Sequence, residues 1–242
     1  MPTVTHAVED YLKAIWKLSH EGGGKVPVGD IAAHLKVSAP SVTGMVQKLK
    51  GMGLLHYARY GGVTLTPKGR KIALEIVRHH RLWELYLYTR LGVPLDQVDG
   101  EAERLEHVLS DDMEELLSRA LGNPTHDPHG DPIPSKSGTL APVRGVTLSR
   151  LEEGRSATVT RVSDQHKDKL RYMISLGLLP GAHVVVVERA PFGGPITIRV
   201  ARKRHAIDGD LADLVHVSPG TTRGGAAPGP AAPAPDRRRR AK

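Results

Sequence analysis

Along residues 5–20, T-H-A-V-E-D-Y-L-K-A-I-W-K-L-S-H, the apolar positions Val8, Leu12, Ile15, Trp16 and Leu18 recur at helical spacing. They predict an amphipathic helix that ends at Glu21-Gly-Gly-Gly24. After Pro27, Val28 to Leu35 reads as a short helix, Lys36 and Val37 as a tight turn, and Ala39 to Met52 as a second helix. Ser38 is a good N-cap for that second helix, and Pro40 is tolerated in its first turn. Val42, Met45, Val46 and Leu49 fall on its inner face. Two short strands, Leu54–Arg59 and Val63–Thr66, follow and are joined by Tyr60-Gly61-Gly62. Two helices with this joint and a strand pair behind them predict a winged helix-turn-helix over residues 1–70.

A long helix, Lys68 to Leu91, buries Ile72, Ile76, Val77, Leu82, Leu85 and Tyr86. A second helix over residues 101–121 has Ala102, Leu105, Val108, Leu109, Leu116 and Leu117 as its apolar side. These apolar faces have few partners within one chain, which predicts pairing with a second copy. The helical module is expected to span 71–134 and to close with the proline-rich loop Asn123 to Pro134. Residues 135–146 read as a linker. Over 147–218, short strands with frequent turns predict a five-stranded small barrel, with a helical piece at Asp168 to Leu176. The tail, 219–242, is rich in Gly, Ala and Pro and ends in Arg237 to Arg240 and Lys242. Its composition predicts disorder. The fold class is therefore mostly α with β, in three modules.

Composition narrows the chemistry. No cysteine is present, so any metal must be held by oxygen and nitrogen rather than thiolate. No signal-like run or apolar span of membrane length is visible, which predicts a cytoplasmic protein with no membrane partner. Charge is segregated: residues 1–70 carry nine Lys/Arg against four Asp/Glu, and residues 71–130 carry six against twelve. A basic first module followed by an acidic one suits a nucleic-acid binder joined to a cation binder.

Glu103, Glu106 and His107 stand at i, i+3 and i+4 of the acidic helix, where two carboxylates and an imidazole can meet one divalent first-row metal. Asp10 lies near the start of the first helix, where dipole complementarity or ligation could explain it. His80 and Glu84 lie one turn apart, within reach of one ion. The loop adds His126, Asp127 and His129. On the second short helix, Ser38, Ser41, Thr43, Gln47, Lys48 and Lys50 face outward. Ser, Thr and Gln suit base edges, the lysines suit phosphates, and Ala39 and Pro40 suit thymine methyls. Arg59 and Tyr60 at the wing tip suit the backbone or minor groove.

The order winged helix, H-R-x-x-E, E-x-x-E-H-x-x-S-D, P-H-G-x-P-I-P and L-G-L-x-P-G resembles the diphtheria toxin repressor family of metal-dependent transcriptional regulators, over residues 5 to about 218. The resemblance implies a C-terminal SH3-like domain of the FeoA type. It implies a primary metal site at Asp10, Glu103, Glu106 and His107, with His80 close by. Carboxylates at Asp10 and Glu103 match the manganese-responsive branch, so Mn(II) is the expected ion and Fe(II) a second possibility. A second site is implied at Glu84, Asp127 and His129, completed by His166 or Asp164 of the barrel. Lys13 departs from the two-domain manganese regulators, which have a glutamate there. The expected function is a homodimeric repressor of metal uptake, not an enzyme, binding a palindromic operator in double-stranded DNA. Two rival readings stand beside it. One is a carboxylate-bridged dimetal enzyme, for which the chain lacks Glu-x-x-His helices. The other is a winged-helix regulator that senses a non-metal ligand.

Overall fold

The computed structural model describes residues 5–58, 61–143 and 145–219, without the side chains of Glu21 and Pro219. Arg59 and Tyr60, expected at the wing tip, and the basic tail from Gly220 lie outside the described residues. The chain divides into two compact units. The first takes in the chain to His80 with Glu103–Leu116 and Ile133–Leu140; the second takes in Arg81–Ala102, Leu117–Pro132 and the chain from Ala141.

In the first unit, α1 (His6–Gly22) is closed by Gly23 in the left-handed conformation, whose N–H bonds Ser19 O. Helix α2 (Val28–Leu35) and α3 (Ala39–Gly51) flank the expected turn at Lys36, and Ser38 caps α3 by accepting from Ser41 N. Strands β1 (Leu55–Ala58) and β2 (Gly62–Leu65) pair antiparallel, with Leu55 opposite Leu65. Leu12, Ile15, Ile31, Val42, Val46, Leu49, Leu54 and Val63 form one aliphatic core around Trp16, and Ala73, Leu74 and Val77 of α4 (Pro67–Leu91) complete it. Val42, Val46 and Leu49 on one face of α3 are fully buried, so the opposite face is held outward.

The single helix expected over 101–121 does not form. Instead α5 (Val98–Leu105) runs into a 3-10 turn, Glu106–Val108; Leu109 is extended, and α6 (Asp111–Ala120) follows. Ser110 starts α6 afresh: its carbonyl accepts from Glu114 N at 2.8 Å and its hydroxyl from Met113 N at 3.4 Å. Asp111, Asp112 and Glu114 fill that first turn, where the helix dipole favours negative charge. The break rotates the faces. Glu106 and Glu114 are buried, whereas Val108 and Leu116, part of the expected apolar side with few partners in one chain, are 69% and 52% exposed; Met113 is exposed too, at 50%.

The second unit holds an antiparallel sheet of β3 (Val146–Thr147), β4 (Ser156–Val162), β5 (His183–Arg189), β6 (Ile196–Val200), β7 (Lys203–Ile207) and β8 (Val215–Pro219), in the order β3-β8-β4-β5-β6-β7. Six strands stand where five were expected. The added strand is β7, K-R-H-A-I, in which only Ile207 turns fully inward, so its sequence carries no apolar alternation. Helices α7 (Lys167–Ser175) and α8 (Gly209–Asp213) accompany the sheet, and Leu170, Met173, Leu178, Val184, Val186, Ile198 and Val217 fill its core.

Candidate metal centres and the DNA-reading helix

Helix α1 and the 3-10 turn supply the first cluster. Ligand atoms of Asp10, Glu106 and His107 all lie within 4.8 Å of one another. His107 Nε2 is 2.8 Å from Asp10 Oδ1 and 3.6 Å from Glu106 Oε1, and its Nδ1 is 2.7 Å from Glu9 Oε2. The His6 ring stacks on His107 at 4.7 Å. Burial raises the Asp10 carboxyl above its usual range; His107 opposes this, while Glu103 and Glu106 add to it. The donors are hard oxygens and one imidazole, a set that fits Mn(II) or Fe(II) without any sulfur.

Five residues bear on this cluster that the spacing did not reveal as partners. Glu9 takes the second nitrogen of His107, leaving Nε2 toward Asp10. His79 Nδ1 lies 3.1 Å from the backbone carbonyl of Glu106, and its Nε2 lies 3.3 Å from Glu114 Oε2. Glu114 also accepts from Arg78 Nε at 2.5 Å, so a largely buried chain of polar side chains holds the turn that carries Glu106 and His107. Lys13 is the fifth, and it reaches Glu103, Glu106 and His80. Glu103 is half exposed. Burial works to raise its pKa, but the Lys13 charge and hydrogen bond, with His80 and Lys17, outweigh that and hold it below the ordinary value. His80 Nδ1 is 2.6 Å from Glu106 Oε2. It joins a different group from Glu84, so the expected sharing of one ion by that helical pair is not what the fold arranges.

The second cluster lies in the other unit. Ligand atoms of Glu84, Asp127 and His129, all buried, fall within 4.8 Å of one another, and Glu84 is likewise grouped with Asp99 and Asp164. Asp164 is therefore the barrel residue beside Glu84, whereas His166 stays exposed at the N-cap of α7. His126 is exposed and bonded to Thr125. His129 Nε2 lies 3.3 Å from Leu95 O. Its Nδ1 is buried, has no hydrogen-bond partner among the described residues, and faces Glu84 Oε1 at 3.6 Å. A carbonyl at Nε2 selects the tautomer whose Nδ1 lone pair is free, the state a metal ligand needs. Asp127 Oδ1 accepts from the backbone N–H groups of His129 and Asp131, both at 2.9 Å, which shapes the loop. Burial pushes the Asp127 carboxyl well up, and the charges of Asp131 and Glu84 push it further, against Arg81. Such a cluster fits a cation.

On α3, Ser38, Ala39, Pro40, Ser41, Thr43, Gln47, Lys48 and Lys50 are all exposed. Thr43 Oγ1 donates to Ala39 O at 3.0 Å, and the Ser38 and Ser41 hydroxyls lie 2.8 Å apart.

Three family profiles match in succession: "Iron dependent repressor, N-terminal DNA binding domain" over residues 3–63, "Iron dependent repressor, metal binding and dimerisation domain" over 66–135, and "FeoA domain" over 146–219. The iron-dependent repressor IdeR of Mycobacterium leprae is 33% identical over 229 residues, covering 90% of this chain and 99% of that protein. The chain belongs to the diphtheria toxin repressor family. The diphtheria toxin repressor of Corynebacterium efficiens is 30% identical over 228 residues, covering 90% of this chain and 97% of its own. A solved manganese-dependent transcriptional repressor in complex with manganese superposes with a TM-score of 0.80 at 35% identity, covering 88% of this chain and 99% of that one. Members of this family are metal-dependent DNA-binding repressors with a metal-binding and dimerisation domain. No helix among the described residues is long and apolar enough to cross a membrane.

Proposed function

We propose that this chain is a homodimeric, Mn(II)- or Fe(II)-dependent repressor of metal-uptake genes that binds a palindromic operator, in the cytoplasm, through α3. One observation carries the reading: Asp10, on the helix that underpins the winged-helix core, meets Glu106 and His107 of the 3-10 turn at one point. A bound cation supplies the positive charge that lets these carboxylates stay together. Asp10 then holds α1, and through Leu12, Ile15 and Trp16 the core behind α3, to the Glu106–His107 turn. His79 and Glu114 hold that turn in place, and Glu9 orients His107. DNA favours the same arrangement, so DNA and metal must strengthen each other's binding by equal factors. Residues 1–70 are assigned to DNA reading, 71–134 to metal binding and dimerisation, and 147–218 to the FeoA-type domain. Glu84, Asp127, His129 and Asp164 are assigned to a second metal site.

The test is to select binding sequences from random duplexes with Mn(II) present, then measure affinity by fluorescence anisotropy with Mn(II), anaerobic Fe(II) or chelator. Tight binding with either ion, lost on chelation and steeply weakened by salt, is expected. Binding that survives chelation unchanged would sink the proposal and favour a non-metal ligand.

For the dimer, Val108, Met113 and Leu116 provide the exposed apolar surface of the break and of α6. Covering such side chains yields about 1.5–3 kcal/mol each. Met113→Glu with Leu116→Glu is expected to halve the mass measured by light scattering and to weaken operator binding. A dimer of undiminished stability would remove these residues from the interface.

A further inference from the structure

Asp10 and Lys13 stand at i and i+3 on α1, on one face. The Lys13 ammonium is buried, at 4% residue exposure, among four potential metal-ligand atoms. It lies 2.6 Å from Glu103 Oε2, 2.8 and 2.7 Å from the two Glu106 oxygens, and 3.2 Å from His80 Nδ1. A buried ammonium persists only where its charge is matched and its N–H donors are used, and both conditions hold here. Glu106 faces two ways: Oε1 lies toward His107, and Oε2 is 2.6 Å from His80 Nδ1. Two carboxylates and an imidazole around one point, beside the Asp10–Glu106–His107 cluster, are the donors of a second divalent-ion position sharing Glu106. A lysine ammonium, a compact point charge, fills that position instead.

We propose that Lys13 is a built-in cation that takes the place of a second, Glu106-sharing metal ion. Glu103 and His80 are then committed to the lysine, and the first cluster holds a single ion through Asp10, Glu106 and His107. This rests on the reading of that cluster as a metal site. It has two consequences. The lysine joins α1 to Glu103 and Glu106 even without metal, so the metal-free chain keeps part of the connection that the ion completes. Its charge also lowers the pull of the carboxylates on the ion that binds beside it.

The test uses the full chain with Glu84→Gln, to silence the second cluster. Mn(II) is titrated, counted by elemental analysis and followed by electron paramagnetic resonance. With Lys13 intact, one ion per chain with the spectrum of an isolated Mn(II) is expected. Lys13→Glu should bind one more ion and show the broadened signal of a coupled Mn(II) pair. Lys13→Met, which removes the charge and leaves Glu103, Glu106 and His80 as donors, should bind its first ion roughly tenfold tighter and take up a second more weakly than Lys13→Glu does. A coupled pair with Lys13 intact, no added ion in Lys13→Glu, or unchanged affinity in Lys13→Met would each overturn the proposal. Glu106→Ala in the same background separates the premises: an ion retained at full affinity there would strike the cluster assignment itself rather than the role of Lys13.

Discussion

Glu106→Ala is expected to weaken Mn(II) binding at the first cluster by at least about a hundredfold, more than loss of a supporting residue around a metal. At a metal concentration that saturates the wild-type chain, the variant should bind operator no better than chelated protein. The reason is its position. Glu106 is fully buried, with one oxygen toward His107 and the other 2.6 Å from His80 Nδ1, and both accept from Lys13. Truncation removes a ligand and also leaves the Lys13 ammonium with Glu103 as its remaining carboxylate, a buried mismatch of about 3–5 kcal/mol. Glu106→Gln keeps the volume and removes the charge, so it separates ligation from packing. It should keep the packing but share the unmatched Lys13 charge, so it should melt below wild type and above Glu106→Ala, and still lose the metal response. Calorimetric Mn(II) titration and operator anisotropy on the two variants make the check, and equal metal midpoints in wild type and variants would remove Glu106 from the site.

The largest expected loss of stability lies in the second unit, at Gly130→Ala. Gly130 sits at φ 92°, and a Cβ there would lie 2.0 Å from the Thr160 carbonyl oxygen and 2.8 Å from Arg161 Cα. Backbone cannot move aside as a side chain can. The clash forces the P-H-G loop off β4, where Val162 N donates to His129 O at 2.9 Å, and it strains an alanine at positive φ. A cost of about 3–5 kcal/mol is expected, seen as a melting temperature lower by roughly 10 °C for a chain of this size. Because His129 and Asp127 ride on the same loop, the gain in melting temperature on adding Mn(II) should shrink as well. Gly122→Ala provides the comparison. It also has positive φ, 80°, but none of the described residues lies within 4 Å of the added carbon, so only the conformational strain remains. Similar melting of the two variants would show that the loop does not depend on this close approach.

Much of the winged helix was legible from local chemistry. Ser38 before Pro40, the Val42–Val46–Leu49 stripe and the glycine-bounded strand pair each follow rules of backbone and periodicity that need no distant contact. Spacing also brought Glu106 and His107 into one candidate site, since neighbours on a turn stay close whether it is α or 3-10. The same reasoning failed over 101–121. A helical pattern continued through residue 110 on paper, whereas Ser110 and the acids after it start a new helix, so the apolar side is divided between two elements. Strand β7 was invisible because its strand character comes from pairing with β6, as Arg204 opposite Arg199 shows, and not from its own apolar content.

The sequence by itself determined the donor chemistry and the outward face of α3: with no cysteine and with carboxylates at 10, 103 and 106, hard cations follow from composition, and the exposed serines, threonine and glutamine follow from helical period. The tertiary structure alone decided which of those donors meet. It set Lys13 between Glu103 and Glu106, assigned Glu9 to His107 and His79 to the Glu106 carbonyl, and chose Asp164 over His166 beside Glu84. The physical reason is range. Period and capping act within about one helical turn, whereas a cluster joins residues up to ninety-eight positions apart, such as Glu9 and His107, and only the packing of the elements that carry them fixes those distances.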